Sequence, residues 1–383
     1  MKTKPALGLM VVLIMFPQIV ETIYSPVLPH IATRFDVSVK AASQTLSVYF
    51  LAFALGVIVW GVVADLLGRR KTMLLGLSVY ALSAAGAVVA PSFELLMVAR
   101  GLSAFGIAVG SVVTQTMLRD SYDGPALSKV YSYMGMGISI SPVIGMMSGG
   151  FLAEWGGHSY VFVTLSGLAI TLLGVSVIML PETMPEIMHG TTPERTASSV
   201  LGDLFRQMIK DSDIWRSALL VAIFNVLLFS YYLQGPFLFE QLGYGSIAFG
   251  RSGVVLAIGT FAGSLLNKQL IQHGFTLKRL VLIATLLGVS GAVGVLLLQG
   301  SLWFLLPMTL VVMGFGIGIP NILSQALVNY RSQAGSAGAM LGLLYYLMIG
   351  VGLAAAGTVQ NLGAVLVTCA VVALVVVGAR ART

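Results

Sequence analysis

Charged residues are scarce in this chain of 383 residues, at 9% of the total, whereas a typical soluble domain has about 25%. Hydrophobic residues make up 57%, and the mean hydropathy is +0.95. So little charge cannot solvate the surface of a protein of this size, which excludes an ordinary soluble domain. The composition therefore indicates a polytopic membrane protein.

Cysteine and histidine are also rare. Cys369 is the single cysteine, and the four histidines lie in separate loops, so neither a disulfide nor a clustered metal site is expected. Nowhere is Gly followed by Lys, so the loop that binds ATP phosphates is missing. A convergent His, Asp or Cys site is missing as well, which argues against an enzyme. We therefore expect no cofactor and no metal, and energy from an ion gradient, the substrate gradient or another subunit.

Apolar runs of roughly 18 to 24 residues recur along the chain, and each can cross about 30 Å of hydrocarbon as a helix. They are continuous and rich in Gly, Ala and Leu, without the period of two that a β-barrel needs. The first run is expected to be retained, because residues 25–30 carry two prolines and no cleavage pattern of small residues. An all-α fold is predicted, with twelve spans at 6–26, 44–64, 72–90, 95–117, 129–153, 160–180, 215–237, 249–270, 277–298, 302–325, 336–357 and 361–379.

Twelve spans place both termini on one side of the membrane, and the basic residues indicate which side. With the termini in the cytoplasm, 17 of the 21 Lys and Arg fall on inner loops and tails, and Arg34, Lys40 and Arg251 fall outside. This distribution obeys the positive-inside rule. The net charge of +7 therefore needs no nucleic-acid partner, since a basic belt beside the bilayer accounts for it.

The longest polar connection divides the spans into six and six. It predicts a first half at 1–180, a cytoplasmic linker at 181–214 with one amphipathic helix around Leu201 to Ile209, and a second half at 215–383. Aligning Lys71 with Lys278 pairs "KTMLLGLSVYALSAAGAVV" with "KRLVLIATLLGVSGAVGVL" at similar small and apolar positions. The pattern favours two pseudo-symmetric six-helix halves, as in a transporter whose substrate site lies between repeats.

Three short motifs in the first half carry the most specific signal. Between spans 2 and 3 stands "GVVADLLGRRK", residues 61–71. Span 4 contains "RGLSAFG", which starts at Arg100, and span 5 contains "GISISPVIGMMSGG", residues 137–150. Spaced glycines permit tight turns and close helix packing, and Pro142 removes a backbone hydrogen bond. The residues of interest are Gly61, Asp65, Gly68, Arg69, Arg70, Arg100, Gly137, Pro142, Gly145 and Gly149.

Together these motifs resemble the major facilitator superfamily over the whole chain. The loop keeps every key position, while Ser103, Ala104 and Ser141 depart from the usual residues of spans 4 and 5. "LPET" at 180–183 and "AGSAGAM" at 334–340 are similar to the 12-span drug:proton antiporters of the bicyclomycin-resistance type. The resemblance implies that type's fold, a location in the bacterial inner membrane, and a monomer with protons, a small-molecule substrate and the lipid bilayer as partners.

The resemblance also implies conformational roles for the motifs. Asp65 would cap the facing helix start in span 11, and Arg69 would pair with an acid at the inner end of span 4, here Asp120. These contacts would latch the inner side of the protein in its outward-facing state. The alternatives are a set of basic anchors on a turn for the loop, and simple packing through glycine for span 5.

One acid, Glu21, and one base, Arg100, lie inside spans. Counted along their helices, both sit roughly 9 Å from the outer surface, so they can interact. Low dielectric favours the neutral form of a buried carboxyl, which suits proton coupling; a static ion pair is the alternative reading. The usual acid of the family aligns with Thr22, one residue after Glu21.

A substrate pocket is predicted at the centre, lined by both halves. Gln18, Glu21 and Ser25 share one helical face by their spacing. Aromatic and amide side chains in later spans suit an apolar substrate with a few hydrogen-bonding groups, although a Tyr in a span often serves packing. Those later candidates are Asn225, Tyr231, Tyr232, Gln234, Asn321, Gln325, Tyr345 and Tyr346.

The function that these features and the resemblance imply is export of small, drug-like molecules by proton antiport. Export of one physiological solute, such as a sugar, a nucleoside or a metal chelator, is the alternative, and the sequence separates the two poorly.

Overall fold

The computed structural model describes residues 4–184 and 204–379, and within these ranges all regular structure is helical. Residues 204–210 are helical, as predicted for the linker, while the rest of that linker's predicted helix, residues 201–203, lies outside the described ranges. The longer helices are α1 Leu7–Ile23, α2 Leu28–Arg34, α3 Val39–Leu67, α4 Arg69–Val88, α5 Phe93–Ser121, α6 Gly124–Met179, α7 Ser212–Gln241, α8 Ser246–Gln272, α9 Leu277–Leu298, α10 Leu305–Ala326, α11 Ala334–Val359 and α12 Leu362–Ala379.

Helix α6 contains two of the predicted spans. It is 56 residues long, and its geometry is interrupted at Gly156 and at Gly157, where φ is 61° and ψ is −150°. A residue with a side chain rarely adopts that conformation, so the glycine permits the chain to turn back. Eleven helices of the described residues are long and apolar enough to cross a membrane. Since α6 supplies two passes, the predicted fold with twelve spans is confirmed.

The chain forms two compact units. Of the described residues, unit 1 contains 4–37 and 48–184, and unit 2 contains 38–47 and 204–379. Packing within the two units follows the same scheme: α4 packs on α5, α1 on α6 and α4 on α6 in unit 1, just as α9 packs on α10, α7 on α11 and α9 on α12 in unit 2. Corresponding spans of the two halves therefore have corresponding neighbours. This applies to the first, third, fourth, fifth and sixth span of each half.

Large apolar side chains cover the outer faces of both units. Leu82, Ile178 and Leu297 are among the most exposed, and such a surface is stable only in contact with lipid. Several helices also run past the predicted span, for example α3, which extends from Val39 to Leu67 where residues 44–64 were predicted. Helical hydrogen bonding continues into the polar zone outside the hydrocarbon, so hydropathy alone gives shorter limits.

The predicted face of span 1 is only partly correct. Helix α1 ends at Ile23, and Ser25 lies in the following 3₁₀ turn, Ser25–Val27. Pro26 has no N–H to continue the α-helical bonding, so the chain tightens there before α2 begins. The spacing that places Gln18 and Glu21 on one face therefore does not extend to Ser25.

Candidate functional site

Glu21 and Arg100 are both buried within unit 1. Glu21 lies in the last turn of α1 with 6% of its surface exposed, and Arg100 lies near the start of α5 with 1% exposed. Helices α1 and α5, which carry these two residues, pack against each other. The two residues nevertheless form no ion pair; the pairs found among the described residues both belong to Arg69.

Two tyrosine rings hold Arg100 in place. Its guanidinium carbon lies 4.0 Å from the ring centre of Tyr24 and 4.4 Å from that of Tyr49. A desolvated cation–π contact stabilises a cation by about 2 kcal/mol. Among the residues that the structure describes, Nε and Nη2 of Arg100 have no hydrogen-bond partner. The rings thus support the buried cation without a fixed anion.

The groups that support the Arg100 cation in this arrangement are aromatic rings and not the Glu21 carboxylate. A buried carboxylate that forms a strong ion pair is held ionised, and removing its charge strands the partner. Here the rings of Tyr24 and Tyr49 contact Arg100, and these contacts do not involve the Glu21 carboxyl. Sequence reasoning missed both tyrosines; the available signal was that Tyr24 follows Glu21 by three residues, on a neighbouring face.

Residues Glu21 and Thr22 face different helices. The Thr22 hydroxyl donates to the Gln18 carbonyl oxygen at 2.8 Å, and it lies directly against Gly145 of α6. One residue along an α-helix turns the side chain by about 100°. The acid at position 21 therefore points away from α6, and α5, which carries Arg100, is another helix that packs on α1. An acid at position 22, where the family's usual acid aligns, would face α6.

The backbone of α1 touches the first segment of α6. A Cβ at Gly145 would overlap the Thr22 hydroxyl and lie 2.9 Å from the Ile19 carbonyl oxygen, and a Cβ at Gly149 would overlap the Ile23 carbonyl. A Cβ at Gly137 would lie 2.9 Å from Cγ of Met15. Only glycine fits the first two positions without moving a helix. Pro142 lies between them and Gly137 on the same segment.

The loop motif forms a charge cluster around Arg69, which is 3% exposed. Nη1 of Arg69 lies 2.7 Å from Oδ1 of Asp65, and Nε lies 2.9 Å from Oδ2 of Asp120. Nη1 also donates to the carbonyl oxygen of Ala64. The predicted contact between Arg69 and Asp120 is therefore present. Asp65 differs from the buried Arg69 in its exposure. Because 64% of its side chain is exposed, its carboxylate remains accessible to further hydrogen-bond donors.

Glu182, the glutamate of "LPET", completes this cluster. Its oxygens accept hydrogen bonds from the backbone N–H groups of Arg69 at 2.9 Å and Arg70 at 3.1 Å, and from those of Thr183 and Met184, both at 2.9 Å. Arg70 in turn donates to the carbonyl oxygen of Val177 at 2.6 Å. Glu182 thus caps the start of α4 and ties the loop to the end of α6. Sequence reasoning noted it only as a family tag.

Gly68 is required for this cap. Its φ of 92° is strained for other residues, and a Cβ there would lie 2.5 Å from Oε2 of Glu182. Partial burial raises the pKa of the Glu182 carboxyl, but the bonds from the four backbone N–H groups lower it by more, so the pKa lies below its ordinary value. The carboxyl is charged at neutral pH and faces the positive end of α4. Gly61, by contrast, has only Val112 within reach, at 3.9 Å.

We predict that Asp65→Asn will slow transport strongly while the protein stays folded. An exposed ion pair stabilises a protein by about 0 to 1 kcal/mol, so its loss costs little stability. The substitution does remove the accessible charge of the cluster, and the latch that the family resemblance implies requires this charge. Initial rates in proteoliposomes and thermal unfolding in detergent measure the two effects. Asp123→Asn, an exposed acid in the same unit, is the control, and transport at the wild-type rate in Asp65→Asn contradicts a latch.

We predict that Glu182→Gln will destabilise the start of α4 by about 1 kcal/mol near neutral pH. The folded pKa of Glu182 lies below its unfolded value, so its contribution is full above that unfolded value and is lost as pH falls through the folded pKa. The difference in unfolding temperature between wild type and variant should therefore narrow from about pH 7 to about pH 4. A difference that stays constant over this range, or an equal loss in the exposed control Glu154→Gln, argues against the charged cap.

The predicted substrate ligands in α7 mostly have partners within unit 2. The Tyr231 hydroxyl shares a hydrogen bond of 2.5 Å with that of Ser252, and its ring stacks on Phe249 at 5.5 Å. Tyr232 is buried beside it. Gln234 donates to the Ala356 carbonyl oxygen at 2.9 Å. Asn225 donates to the carbonyl oxygen of Val221, one turn back, at 2.8 Å.

The ligands predicted in α10 and α11 lie at different depths. Asn321 is buried and donates to Oδ1 of Asn267 at 2.7 Å. Gln325 does not lie near the middle of its span, because α10 ends at Ala326, and it lines a cavity at the helix ends. Tyr345 and Tyr346 are half-buried, with ring centres 4.6 Å apart. The role of each as a substrate ligand stays a prediction.

These features define the class of protein as a multi-pass helical transporter with a buried acid and base in its first unit. Comparison with known proteins gives the family. The profile of the Major Facilitator Superfamily matches residues 10–357. A Rickettsia bellii protein described as an "Uncharacterized transporter" is 34% identical over 346 residues, which cover 86% of this chain and 84% of the relative. The chain belongs to the Major Facilitator Superfamily, whose members are transporters and not enzymes.

Two further comparisons support this assignment. "Multidrug resistance protein MdtL" of a Shewanella species (strain ANA-3) is 27% identical over 336 residues, which cover 86% of this chain and 82% of the relative. The crystal structure of a D-xylose-proton symporter superposes with a TM-score of 0.76 at 14% identity, covering 96% of both chains, which shows the fold. The predicted superfamily is therefore confirmed, and the bicyclomycin-resistance type stays a prediction.

Proposed function

We propose that this protein exports small, drug-like organic molecules in exchange for protons, as a member of the bicyclomycin-resistance type of drug:proton antiporter. The observation that carries the proposal is the buried Glu21 beside an Arg100 that the rings of Tyr24 and Tyr49 hold. An ionisable residue inside a span is costly, and it persists where it binds or transfers a charge. A static ion pair is the alternative reading; what favours proton coupling over it is that the ion pairs found among the described residues both belong to Arg69.

The coupling follows from the chemistry of these groups. A proton from outside neutralises Glu21, which favours release of the substrate; loss of the proton to the cytoplasm restores the carboxylate for the next load. Arg100 contributes a fixed positive field, and its Nε and Nη2, unpartnered among the described residues, can donate to a substrate acceptor or to ionised Glu21. Because the rings hold Arg100, the proton on Glu21 can exchange without leaving an unsupported cation.

Alternating access in this proposal uses the two halves, residues 1–180 and 215–383, joined by the linker at 181–214. The cluster of Asp65, Arg69 and Asp120 acts as a latch, in which the exposed Asp65 caps the facing start of span 11 in the outward-facing state. Gly145 and Gly149 let α1, which carries Glu21, lie directly on α6. Motion of that segment of α6 therefore moves the coupling acid.

The location follows from the same reasoning. A monomer in the bacterial inner membrane with both termini in the cytoplasm satisfies the positive-inside rule. That orientation puts the Arg69 cluster at the cytoplasmic surface and Glu21 toward the outer side, which is where the entering proton arrives.

The experiment that tests the proposal measures proton movement driven by substrate in proteoliposomes. Addition of a transported compound should move protons in the opposite direction, at a rate that depends on an imposed pH gradient. A panel of unrelated toxins in a survival assay identifies such compounds, and the multidrug-resistance relative motivates that panel. Uptake or efflux that leaves the internal pH unchanged excludes proton antiport. Export of one metabolite, with no protection against the panel, supports the exporter of a single physiological solute.

A further inference from the structure

Unit 2 contains two adjoining cavities where α7 and α9 begin and α12 ends. Their volumes are about 630 and 610 Å³, and both are lined by Asp213, Arg216 and Lys278. The first extends between the helices to Arg279 and Gln325. The second opens along the outer face of α12. The two share their charged side chains and form one cleft, and aliphatic side chains line both parts. We call the region around Arg216, Lys278 and Arg279 the polar chamber, and the strip of Val375, Val376 and Ala379 on α12 the apolar groove.

The polar chamber has an excess of positive charge. Lys278 and Arg279 are exposed to it, and Arg216 forms its wall while donating from Nη2 to the carbonyl oxygen of Val377 at 3.3 Å. Two carboxylates oppose these cations. Asp211 accepts the N–H of Asp213 and the hydroxyl of Tyr330, both at 2.8 Å, and keeps its negative charge. Three basic side chains therefore face two acidic ones, which leaves one positive charge in excess. The remaining balance favours an anion.

The equivalent place in unit 1 is filled by a carboxylate of the chain. Lys71 in α4 corresponds to Lys278 in α9, and each helix is the third span of its half. The start of α4 is covered by Glu182, which follows the sixth span of that half and accepts two N–H groups of α4. At the start of α9 the cleft opens beside Lys278 and Arg279, and Thr276 caps the N–H of Arg279. A second anion would complete the same arrangement.

The apolar groove shows what kind of anion fits. Val375, with 65% of its surface exposed, lines it together with Val376 and Ala379. Trp215 is exposed at the same helix ends and donates from Nε1 to the carbonyl oxygen of Ile209 at 2.7 Å, a placement typical of the membrane interface. A free ion makes no favourable contact with the aliphatic side chains of this groove, whereas the acyl chain of a phospholipid can pack against them.

We propose that this cleft binds an anionic phospholipid. Lys278, Arg279 and Arg216 hold the phosphodiester at the helix ends, and one acyl chain follows Val375 and Val376 along α12. Basic pockets between helices at the cytoplasmic surface are favourable sites for lipid head groups. The bound lipid places a negative charge at the N-terminal end of the third span of unit 2. Glu182 places one at the N-terminal end of the third span of unit 1. The site is independent of proton coupling.

Native mass spectrometry of the purified protein tests the site directly. Phosphatidylglycerol should remain bound at detergent concentrations that remove phosphatidylcholine and phosphatidylethanolamine. The double variant Lys278→Gln, Arg279→Gln should weaken that binding about 25-fold, since each basic residue near an anionic lipid contributes about fivefold. Lys268→Gln, an exposed lysine of α8 that does not line either cavity, should retain it.

Three outcomes overturn the proposal. Equal retention of phosphatidylglycerol and phosphatidylcholine by the wild type excludes recognition of the charge, and this comparison needs no variant. Equal binding by the double variant and Lys268→Gln places the lipid elsewhere. Displacement of the lipid by inorganic phosphate, with the same protection against thermal unfolding, assigns the site to a free anion and not to a phospholipid.

Discussion

Replacing Glu21 with Gln should abolish export against a gradient while leaving the binding of neutral substrates measurable. The amide has nearly the shape of the protonated carboxyl but cannot release a proton, so the variant is fixed in the protonated form. Because the rings of Tyr24 and Tyr49 hold Arg100 independently, the loss of the charge at position 21 should not disrupt the packing around it. Cationic substrates should lose most affinity, since they also lose a counter-charge.

The measurements for this variant are efflux from proteoliposomes and substrate affinity as a function of pH. Export should fall to background, and the pH dependence of binding that we expect in the wild type should be absent from the variant. Glu154→Gln, which removes an exposed carboxylate of the same unit, is the matched control and should behave as wild type. If Glu21→Gln still exports with unchanged pH dependence, the coupling acid lies elsewhere, and Asp120 is the next residue to test.

Replacing Gly145 with Leu should abolish normal transport by forcing α1 away from α6. Even a Cβ at this position overlaps the Thr22 hydroxyl and crowds the Ile19 carbonyl, and both are anchored to the helix backbone. Forcing extra atoms into a packed interface costs about 1 to 3 kcal/mol. The displacement would shift the helix that carries Glu21, so the balance of inward and outward states should change and protons should leak without substrate.

Gly135→Leu is the matched control for this change. It lies on the same helix segment, is exposed, and has no heavy atom within 4 Å of an added Cβ. Spin-label distances across the outer ends of the helices, together with proton leak in empty proteoliposomes, measure the effect. Identical distance distributions in wild type and Gly145→Leu would remove the gating role, even if transport fell for other reasons.

The sequence was most informative where local composition decides the outcome. Length and continuity of apolar runs predicted the spans, because a helix in hydrocarbon must satisfy its own backbone and cover about 30 Å. The limits of the 277–298 span agree with α9. The contact between Arg69 and Asp120 was also predictable. The two residues are 51 positions apart, so their spacing indicates nothing about a contact, but the family motif implies one.

The sequence was least informative about which side chains meet across helices. Glu21 and Arg100 were expected at similar depth, but depth does not determine whether an ion pair forms. Tyr49 comes from α3, and its position over Arg100 depends on how α3, α1 and α5 rotate about their axes. The turn at Ser25 had a local signal in Pro26, yet the helical spacing was extended through it.

The amino-acid sequence by itself determined that this protein spans a membrane twelve times with helices, and its motifs indicated the superfamily, because hydropathy and short motifs are properties of neighbouring residues. Only the tertiary structure decided that aromatic rings hold Arg100, that Glu182 caps α4, and that a basic cleft opens at the start of α9. These features join residues from different helices, and their geometry depends on the rotation and close packing of whole helices, which no local pattern encodes.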